Sequence, residues 1–383
     1  MEDGRFDVIV VGGGAMGTAT ARNLAMRGRH TLLLERFTFG HANGSSGGPT
    51  RIFRFMYHTQ GYARMALAAK GAWDELQDAA GERLLHVTGG IDIGEPALPR
   101  AEVLKEIGAP VERLLPDQAH ERWPDLHIPE GADIVFQPDG GVLRAARTVQ
   151  VQAALAAGAG AEILEETTVT SIAVTGDRAE VHTGAGATFT APTVVVTAGA
   201  WAGPVLRTAG IDLPLQPSLE QGTYFRLDGG GSVGTRPTGP LPTIIDWFHD
   251  EVQPPYLVPD PFEDATGHFK VGLHRSGPVT DAETRTFDPD PARVARVQTW
   301  VDRHVDGAVP LDRTDTCLYT FAPDEDFILD RVGPVVVASP CSGHGFKFVP
   351  LFGQVIADLA TGVTPAFPMA PFTLDRAALR AAG

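Results

Sequence analysis

Three glycines near the start of the chain have the spacing of a phosphate-binding turn. Gly12, Gly14 and Gly17 follow the apolar residues 8–11 and open a run of small residues. The pattern indicates a buried strand, a tight turn and a helix. In such a turn the first glycine permits the bend, the second lets the backbone approach a pyrophosphate, and the third lets the helix pack closely on the strand. The free N–H groups at the helix start would then face the phosphates.

An acidic residue stands where a nucleotide ribose would need it. The apolar residues 31–34 predict a second strand that ends at Glu35, eighteen residues after Gly17. A carboxylate there can accept hydrogen bonds from both ribose hydroxyls and would repel a 2′-phosphate, although the neighbouring Arg36 weakens the second argument. The motif therefore predicts dinucleotide binding and leaves FAD and NAD both open.

Several basic residues have neighbours that suggest an anion site. Arg51 and Arg54 are three residues apart and stand beside Phe53 and Phe55, which favours partial burial over the exposure that is usual for arginine. Lys347 comes just before a predicted helix N-terminus, where a positive charge is unfavourable unless an anion binds nearby.

Two segments further along alternate with period two and read as strands. In the first, His268, Lys270 and His274 share one face, and a half-buried strand with a solvated face is the commoner explanation. In the second, Cys317 shares a face with Tyr319 and Phe321. A single cysteine in a strand is usually a small buried hydrophobe.

Composition limits the classes of partner. The 383 residues are 43% hydrophobic and 20% charged, as in an ordinary globular protein, and the net charge is −16. This acidity argues against nucleic acid and anionic membranes as partners. Two cysteines, an acidic start that enters the first strand at once and no apolar run long enough to cross a bilayer favour a cytoplasmic location.

The predicted elements suggest two interleaved domains. Strands of the nucleotide-binding type occur at the start, at residues 193–196 and at 335–337, and the last of these leads into a helix from about 350 to 360. Residues 169–182 predict a small meander, while residues 215–320 are rich in proline and short alternating runs, which predicts an antiparallel sheet with long loops.

These residues and their neighbours resemble the motifs of a known family. The chain resembles the FAD-dependent amine oxidases grouped around monomeric sarcosine oxidase and N-methyltryptophan oxidase, within the D-amino-acid-oxidase-like superfamily. Residues 346–353 are also similar to the piperideine-carboxylate oxidase of nikkomycin biosynthesis. The matching segments are Asn43-Gly44-Ser45, Thr50-Arg51-Ile52-x-Arg54, Lys270-Val271-Gly272-x-His274, Cys317-x-Tyr319-Thr320, Pro323-Asp324-Glu325-x-Phe327-Ile328-x-Asp330 and Ser342-Gly343-His344-Gly345-Phe346-Lys347-Phe348.

The resemblance implies a role for each of the chemical residues. Cys317 would hold FAD through a thioether, and Lys270 would lie at the flavin face and activate O₂. Arg54 and Lys347 would pair with a substrate carboxylate, and Tyr256 and His274 would line the substrate cavity.

It also implies a set of cofactor contacts, in which Arg51 lies beside the flavin and Val169 contacts the adenine through its backbone. No metal is expected. The full predicted cofactor set is Gly12, Gly14, Ala15, Met16, Gly17, Glu35, Arg36, Ser45, Thr50, Arg51, Val169, Ala198, Gly199, Trp201, Cys317, Gly343, Gly345, Phe346 and Lys347.

The fold that follows is α/β, with a Rossmann-type FAD-binding domain of parallel sheet and helices interleaved with an α+β substrate domain on an antiparallel sheet. The predicted boundaries are 1–85, 145–214 and 321–383 for the FAD-binding domain, and 86–144 and 215–320 for the substrate domain.

Some residues depart from the family's pattern. Ser46 and Gly47 replace a histidine pair, Phe55 replaces a histidine, and Cys341 replaces a phenylalanine of sarcosine oxidase. A more apolar cavity favours a larger or cyclic amine over sarcosine.

The predicted function is a monomeric FAD-dependent oxidase of the C–N bond of a secondary or cyclic amino acid. Hydride passes to the flavin, and O₂ accepts the electrons and gives H₂O₂. The alternatives are an imino-acid oxidase or dehydrogenase of a biosynthetic pathway, an NAD-linked dehydrogenase, and a flavin-binding subunit without activity.

Overall fold

The fold is taken from a computed structural model that describes residues 5–227, 241–262 and 267–380. The first four residues, on which the expectation of no signal peptide partly rests, lie outside this part, as do pieces of the predicted antiparallel region at 228–240 and 263–266. The helices of the described part are α1 (Ala15–Met26), α2 (Gln60–Ala80), α3 (Ala97–Glu106), α4 (Pro116–Arg122), α5 (Ala145–Gly158), α6 (Ala202–Thr208), α7 (Pro291–His304), α8 (Val349–Thr361) and α9 (Ala377–Arg380).

The strands fall into one parallel-type sheet, one large antiparallel-type sheet and two small sheets. They are β1 (Val8–Val11), β2 (Thr31–Leu34), β3 (Thr50–Phe53), β4 (Leu85–Val87), β5 (Gly90–Ile93), β6 (Glu112–Leu114), β7 (Ile134–Gln137), β8 (Gly141–Arg144), β9 (Glu162–Leu164), β10 (Val169–Thr175), β11 (Arg178–Thr183), β12 (Thr188–Ala191), β13 (Thr193–Val196), β14 (Gln216–Leu227), β15 (Thr243–Asp246), β16 (Pro255–Pro259), β17 (His268–Leu273), β18 (Ala308–Phe321), β19 (Ile328–Val332) and β20 (Val335–Ser339).

The first sheet has the order β19-β20-β13-β1-β2-β9, and only β19 runs antiparallel to its neighbour. Its central strands are buried on both faces: Val8 and Val10 pack into one hydrophobic cluster, while Ile9 and Val11 pack into another. This explains why β1 is uniformly apolar and does not alternate. The predicted parallel sheet, and the return of residues 193–196 and 335–337 to it, are confirmed.

The large sheet has the order β18-β14-β17-β16-β15-β5-β7-β6, and its pairs are antiparallel apart from β15 with β5. The predicted antiparallel sheet is confirmed. The small sheets are the predicted meander, β10-β11-β12, and the sheet β3-β8-β4. The exact domain boundaries remain a prediction.

Local signals set the ends of several helices. The Thr59 hydroxyl accepts from the Tyr62 amide at 3.5 Å before α2, and Gly81, with φ of 66°, ends that helix. Asp290 caps α7 and Pro291 occupies its first turn. Gly362, with φ of 72°, ends α8. No helix in the described part of the chain is both long enough and apolar enough to span a bilayer.

Candidate active site

The turn between β1 and α1 leaves room only for glycine. Gly12 has φ of +99°, and a Cβ atom there would lie 2.8 Å from the Cα atom of Ala198. A Cβ atom at Gly17 would lie 1.8 Å from the carbonyl oxygen of Gly12. The first glycine therefore permits the bend and the third permits α1 to lie against it, as the spacing predicts.

Glu35 follows β2 and is held as an acceptor beside this turn. Its Oε2 atom accepts a hydrogen bond from the Gly13 amide at 2.5 Å and its Oε1 atom accepts one from the Phe37 amide at 2.8 Å. Burial acts to raise the pKa of Glu35, but hydrogen bonds from His41, Phe37 and Gly13 outweigh it and the pKa is lowered. An ionised carboxylate in this position suits two ribose hydroxyls.

Arg36 is already paired. Its Nη2 atom lies 2.9 Å from Oε2 of Glu283, its Nη1 atom contacts Oε1 of the same residue, and its guanidinium lies 5.7 Å from the Trp201 ring centroid. Because both terminal nitrogens are engaged by one carboxylate, Arg36 is poorly placed to recruit a 2′-phosphate.

A cavity of about 250 Å³ lies along this edge of the parallel sheet. Most of the residues predicted to contact the adenine side of the cofactor line it. From the predicted set it is lined by Gly12, Gly14, Ala15, Met16, Glu35, Arg36, Ser45, Val169, Ala198, Gly199 and Trp201. Gly17 packs behind the turn and is not among its lining residues.

Sequence reasoning missed several residues of this cavity. They include Phe37, His41, Ser46, Thr167, Thr168, Thr170, Pro204, Val205, Glu283, Ala338, Pro340 and Cys341. Ser46 could have been identified from sequence, because it directly follows the matching segment Asn43-Gly44-Ser45. Its Oγ atom accepts a hydrogen bond from the Ala15 amide at 3.1 Å, at the start of α1. Glu283 gave no signal, because a lone glutamate in a proline-rich loop region is normally solvated.

The remaining predicted cofactor residues form a second group, which does not line this cavity. It comprises Thr50, Arg51, Cys317, Gly343, Gly345, Phe346 and Lys347. These residues come from β3, β18 and the segment before α8. They lie near Lys270, Arg54, Tyr256 and His274.

Lys270 is buried, and the solvated-face explanation of its strand is wrong. Its side chain is 8% exposed, and its Nζ atom donates to the carbonyl oxygen of Thr50 at 2.6 Å, so β17 is joined to β3. Burial, with a further contribution from Arg51, lowers the pKa of Lys270 to about 7. Its ammonium is therefore held in a site that disfavours the charge unless an anion is present.

Arg51 is fixed by backbone carbonyl groups. Its guanidinium donates to the carbonyl oxygens of Thr50 at 2.7 Å, Ser45 at 2.9 Å and Gly47 at 2.7 Å. None of these contacts pairs its charge with a carboxylate. Its partial burial, predicted from the flanking phenylalanines, is confirmed. Burial raises the pKa of the neighbouring Cys317 thiol, whereas Arg51 and Lys270 act to lower it.

Arg54 and Lys347 approach the same tyrosine. The Arg54 guanidinium and the Lys347 Nζ atom each lie 5.3 Å from the Tyr57 ring centroid, and Nζ also donates to the Tyr57 hydroxyl at 2.9 Å. Lys347 is 4% exposed, and burial followed by the charge of Arg54 lowers its pKa well below the usual value. Two cations that share one small region of a chain of net charge −16 form an anion site.

One buried carboxylate lies beside Arg54. Asp92 lies in β5, 1% exposed, with its Oδ2 atom 3.7 Å from Arg54 Nη1 and 2.9 Å from the Trp247 indole nitrogen. Burial raises the pKa of Asp92, while Arg54 and Trp247 act to lower it. Sequence reasoning did not identify Asp92, because a single acid within a strand carries no spacing signal.

Tyr256 and His274 lie beside these cations with Tyr319. Tyr256 in β16 pairs with Gly272 of β17, where a Cβ atom would lie 2.5 Å from the tyrosine hydroxyl. His274 lies 5.7 Å from the Tyr319 ring, between centroids, and burial with Arg54, Arg275 and Lys347 lowers its pKa to about 3. His274 is thus a neutral imidazole at physiological pH.

The two groups together suit a dinucleotide that carries a ring system into a cationic pocket. The glycine turn, the ionised Glu35 and the cavity beside them fit the nucleotide end. The buried Lys270 and Lys347 and the partly buried Arg51 and Arg54 would surround the other end and favour anions there.

Comparison with known proteins agrees with this geometry. The profile of the family described as FAD dependent oxidoreductase matches residues 7–359. The chain is similar to monomeric sarcosine oxidase of Bacillus sp. (strain B-0618), with 32% identity over 98% of this chain and 97% of that enzyme. It is also similar to N-methyl-L-tryptophan oxidase of Salmonella arizonae, with 28% identity over 97% of this chain and 99% of that enzyme.

A solved structure gives the same result. NikD, described as an unusual amino acid oxidase essential for nikkomycin biosynthesis, aligns with a TM-score of 0.85 and 26% identity, over 96% of this chain and 97% of that one.

Proposed function

Since this chain belongs to the FAD dependent oxidoreductase family, we propose that it oxidises the C–N bond of a secondary or cyclic amino acid, with O₂ as electron acceptor and H₂O₂ as product. The similar enzymes support this assignment, because their names refer to N-methylated amino acids or to amino acid oxidation.

The observation that carries the proposal is the pair of cations on Tyr57. Arg54 has donors to spare within the described part of the chain, since only its Nη1 atom is engaged there, by the Met56 carbonyl at 2.7 Å and by Asp92 at 3.7 Å. Lys347 donates to the Tyr57 hydroxyl and to the His344 carbonyl at 2.7 Å, which leaves one N–H group without a partner among the described residues. A planar carboxylate can take a fork from Arg54 and a single bond from Lys347.

The amine end of the substrate would lie toward His274 and Tyr256. An amine must be neutral to give up a hydride, and the surrounding cations oppose its protonation. The neutral His274 can accept an N–H hydrogen bond without adding charge. The half-buried rings of Tyr256 and Tyr319 form an apolar wall, which fits a substituted or cyclic amine.

FAD, when bound, supplies the acceptor for the hydride and returns the electrons to O₂. Gly12, Gly14, Glu35 and the backbone of Val169 would hold its adenosine and pyrophosphate. Arg51 and Lys270 would lie at its ring system, where Lys270 stabilises the negative charge that develops on O₂.

We also propose covalent attachment through Cys317. The neighbouring charges of Arg51 and Lys270, which act to lower the pKa of its thiol, favour Cys317 as the one that reaches the flavin. Cys341 lines the nucleotide cavity, and burial raises the pKa of its thiol to about 11, so it should stay unmodified.

The test is anaerobic bleaching of the bound flavin against a panel of N-methyl and cyclic amino acids. Rapid bleaching by at least one member, followed by return of the yellow colour and H₂O₂ on admission of O₂, is expected. A yellow protein that no amine or amino acid bleaches would instead be a flavin-binding subunit. Return of colour only with an artificial acceptor would make it a dehydrogenase, and a colourless protein would contradict FAD.

A further inference from the structure

A second cluster of ligating side chains lies in the substrate domain, apart from the residues described above. Asp246 ends β15, His249 follows it after a short turn, and His304 ends α7. One ligand atom from each of the three lies within 4.8 Å of the other two. The cluster therefore joins the end of a sheet strand to the end of the helix that covers it.

Asp246 is the buried centre of the cluster. It is 0% exposed, and its Oδ2 atom accepts from the Trp300 indole at 2.7 Å and lies 2.7 Å from Nδ1 of His249. The backbone amide of Phe248 donates to Oδ1 at 3.1 Å. These contacts keep the carboxylate oriented toward both histidines.

His304 presents an unused nitrogen. Its Nδ1 atom lies 2.6 Å from the carbonyl oxygen of His127, so Nδ1 carries the proton and Nε2 carries a lone pair. Among the described residues Nε2 has no hydrogen-bond partner, although the atom is shielded from solvent and the residue is only 8% exposed. Metal-ligating histidines commonly donate their other N–H to a backbone carbonyl in this manner.

We propose that Asp246, His249 and His304 form a binding site for one divalent transition-metal ion of the Zn²⁺ type. Two imidazole nitrogens and one carboxylate oxygen are ligands that Zn²⁺ accepts, and solvent would complete the tetrahedron. Zinc–ligand bonds of about 2.0–2.2 Å place the ligand atoms of a tetrahedron further apart than the 2.7 Å between Asp246 Oδ2 and His249 Nδ1, so these two atoms must separate slightly to admit the ion. His249 can make that movement, because its side chain is 29% exposed.

Metal binding at this site would require one proton to shift within the His249 ring. In the metal-free arrangement Nδ1 of His249 donates to Asp246, and a metal ion between them would displace that proton. The proton can move to the Nε2 atom of the same ring, which leaves the imidazole neutral.

The ion would be structural and would act independently of the proposed oxidase chemistry. It would fix the turn at 246–249, which also carries Trp247. The Trp247 indole donates to Asp92, which in turn lies 3.7 Å from Arg54, so the turn reaches the anion site through two side chains.

The experiment uses the full-length flavoprotein, treated with a chelator and dialysed, and titrates it with ZnCl₂ in a calorimeter. Saturation at one Zn²⁺ per chain is expected, with a thermal unfolding midpoint that rises with Zn²⁺ concentration. Co²⁺ should give the visible absorption bands of a low-symmetry four-coordinate ion.

The decisive variant is His249→Ala, since this partly exposed side chain can be removed without opening the core. It should weaken Zn²⁺ binding at least 10-fold, the lower end of the loss seen even for outer-shell partners of a metal. His182→Ala is the matched control, because His182 is an exposed strand histidine in the small meander near a carboxylate, 3.9 Å from Glu180. Zn²⁺ binding should be unchanged there.

Three outcomes would overturn the proposal: no saturable Zn²⁺ binding by the wild-type chain, unchanged affinity in His249→Ala, or an equal loss in His182→Ala. His304→Gln is a second test of Zn²⁺ affinity. A folded His304→Gln variant that retains full Zn²⁺ affinity would also contradict the site.

Discussion

The sharpest test of the anion site is the substitution Lys347→Met. The two side chains have similar length and volume, so the change removes a charge and three donors with little change in packing. Trp73 donates to the Lys347 backbone carbonyl at 2.7 Å, which keeps the main chain in place. The variant therefore reports on the ammonium itself.

The magnitude follows from the donors that are left. Two of the three Lys347 N–H groups are used by Tyr57 and His344, so a bound carboxylate gains one charge-assisted hydrogen bond from this residue. Such a bond contributes about 1.5–3 kcal/mol, which corresponds to a dissociation constant about 10- to 150-fold higher in the variant. Arg54→Met should weaken binding further, because a two-pronged contact is lost.

A pH dependence distinguishes this explanation from a purely steric one. Burial and Arg54 lower the pKa of Lys347 in the free site, and a bound anion raises it. Between these two pKa values binding takes up a proton, so carboxylate affinity should fall as pH rises. The proton uptake should vanish in Lys347→Met.

The assay is a titration of the flavin absorbance with a carboxylic acid that has no amine and cannot turn over. Calorimetry in buffers of different ionisation enthalpy measures the proton uptake. Lys105→Met is the control, since Lys105 is an exposed residue paired with Glu102 at 2.7 Å and should bind the acid normally. An equal loss of affinity for an amine without a carboxylate, or unchanged proton uptake in the variant, would refute the reasoning.

Three further predictions concern the cofactor. Acid precipitation should leave flavin on the wild-type chain and on Cys341→Ser, whereas Cys317→Ser should release it into the supernatant; flavin released from the wild type would exclude covalent attachment. Lys270→Met should slow reoxidation of reduced flavin roughly 10²–10⁴-fold in stopped flow while anaerobic reduction changes far less. In the wild type the reoxidation rate should fall as pH rises through the lowered Lys270 pKa of about 7, because the ammonium is lost. Gly17→Ala should lower the thermal midpoint and impair flavin retention, because its Cβ would lie 1.8 Å from the Gly12 carbonyl oxygen, whereas Gly71→Ala, in an open position within α2, should raise the midpoint slightly.

The nucleotide end of the molecule was largely predictable from sequence. Uniformly apolar strands, glycines at fixed spacing and a terminal acid are local signals, and each follows from the geometry of a buried parallel strand that enters a helix. The alanine-rich run 145–158 and the apolar period of residues 291–304 predict two helices, and α5 and α7 begin and end at these residues.

The substrate end was predictable only with the family resemblance. Alternation alone placed Lys270 on a solvated face, whereas β17 lies between β14 and β16 and is covered from the β3 side. Burial of that face comes from a segment more than two hundred residues earlier, which periodicity does not report. The same holds for Asp92 and Glu283, whose importance comes from partners distant in the chain.

The strands of the two large sheets are interleaved along the chain, which has a consequence for how the protein is made. Helix α1 begins at the nucleotide turn and is covered by α8, which approaches so closely that a Cβ atom at Gly353 would lie 2.6 Å from the Cβ atom of Ala19. β20, the neighbour of β13, also comes from the last fifth of the chain. While the chain is still on the ribosome, β1 therefore has β2 beside it but not yet β13, and α1 lacks its covering helix. Long-range pairing of this kind slows folding and leaves apolar strands exposed in the meantime. Capture of the cofactor must then wait until synthesis is nearly complete, and a nascent chain that stalls before α8 would have the glycine turn without the scaffold that shapes it.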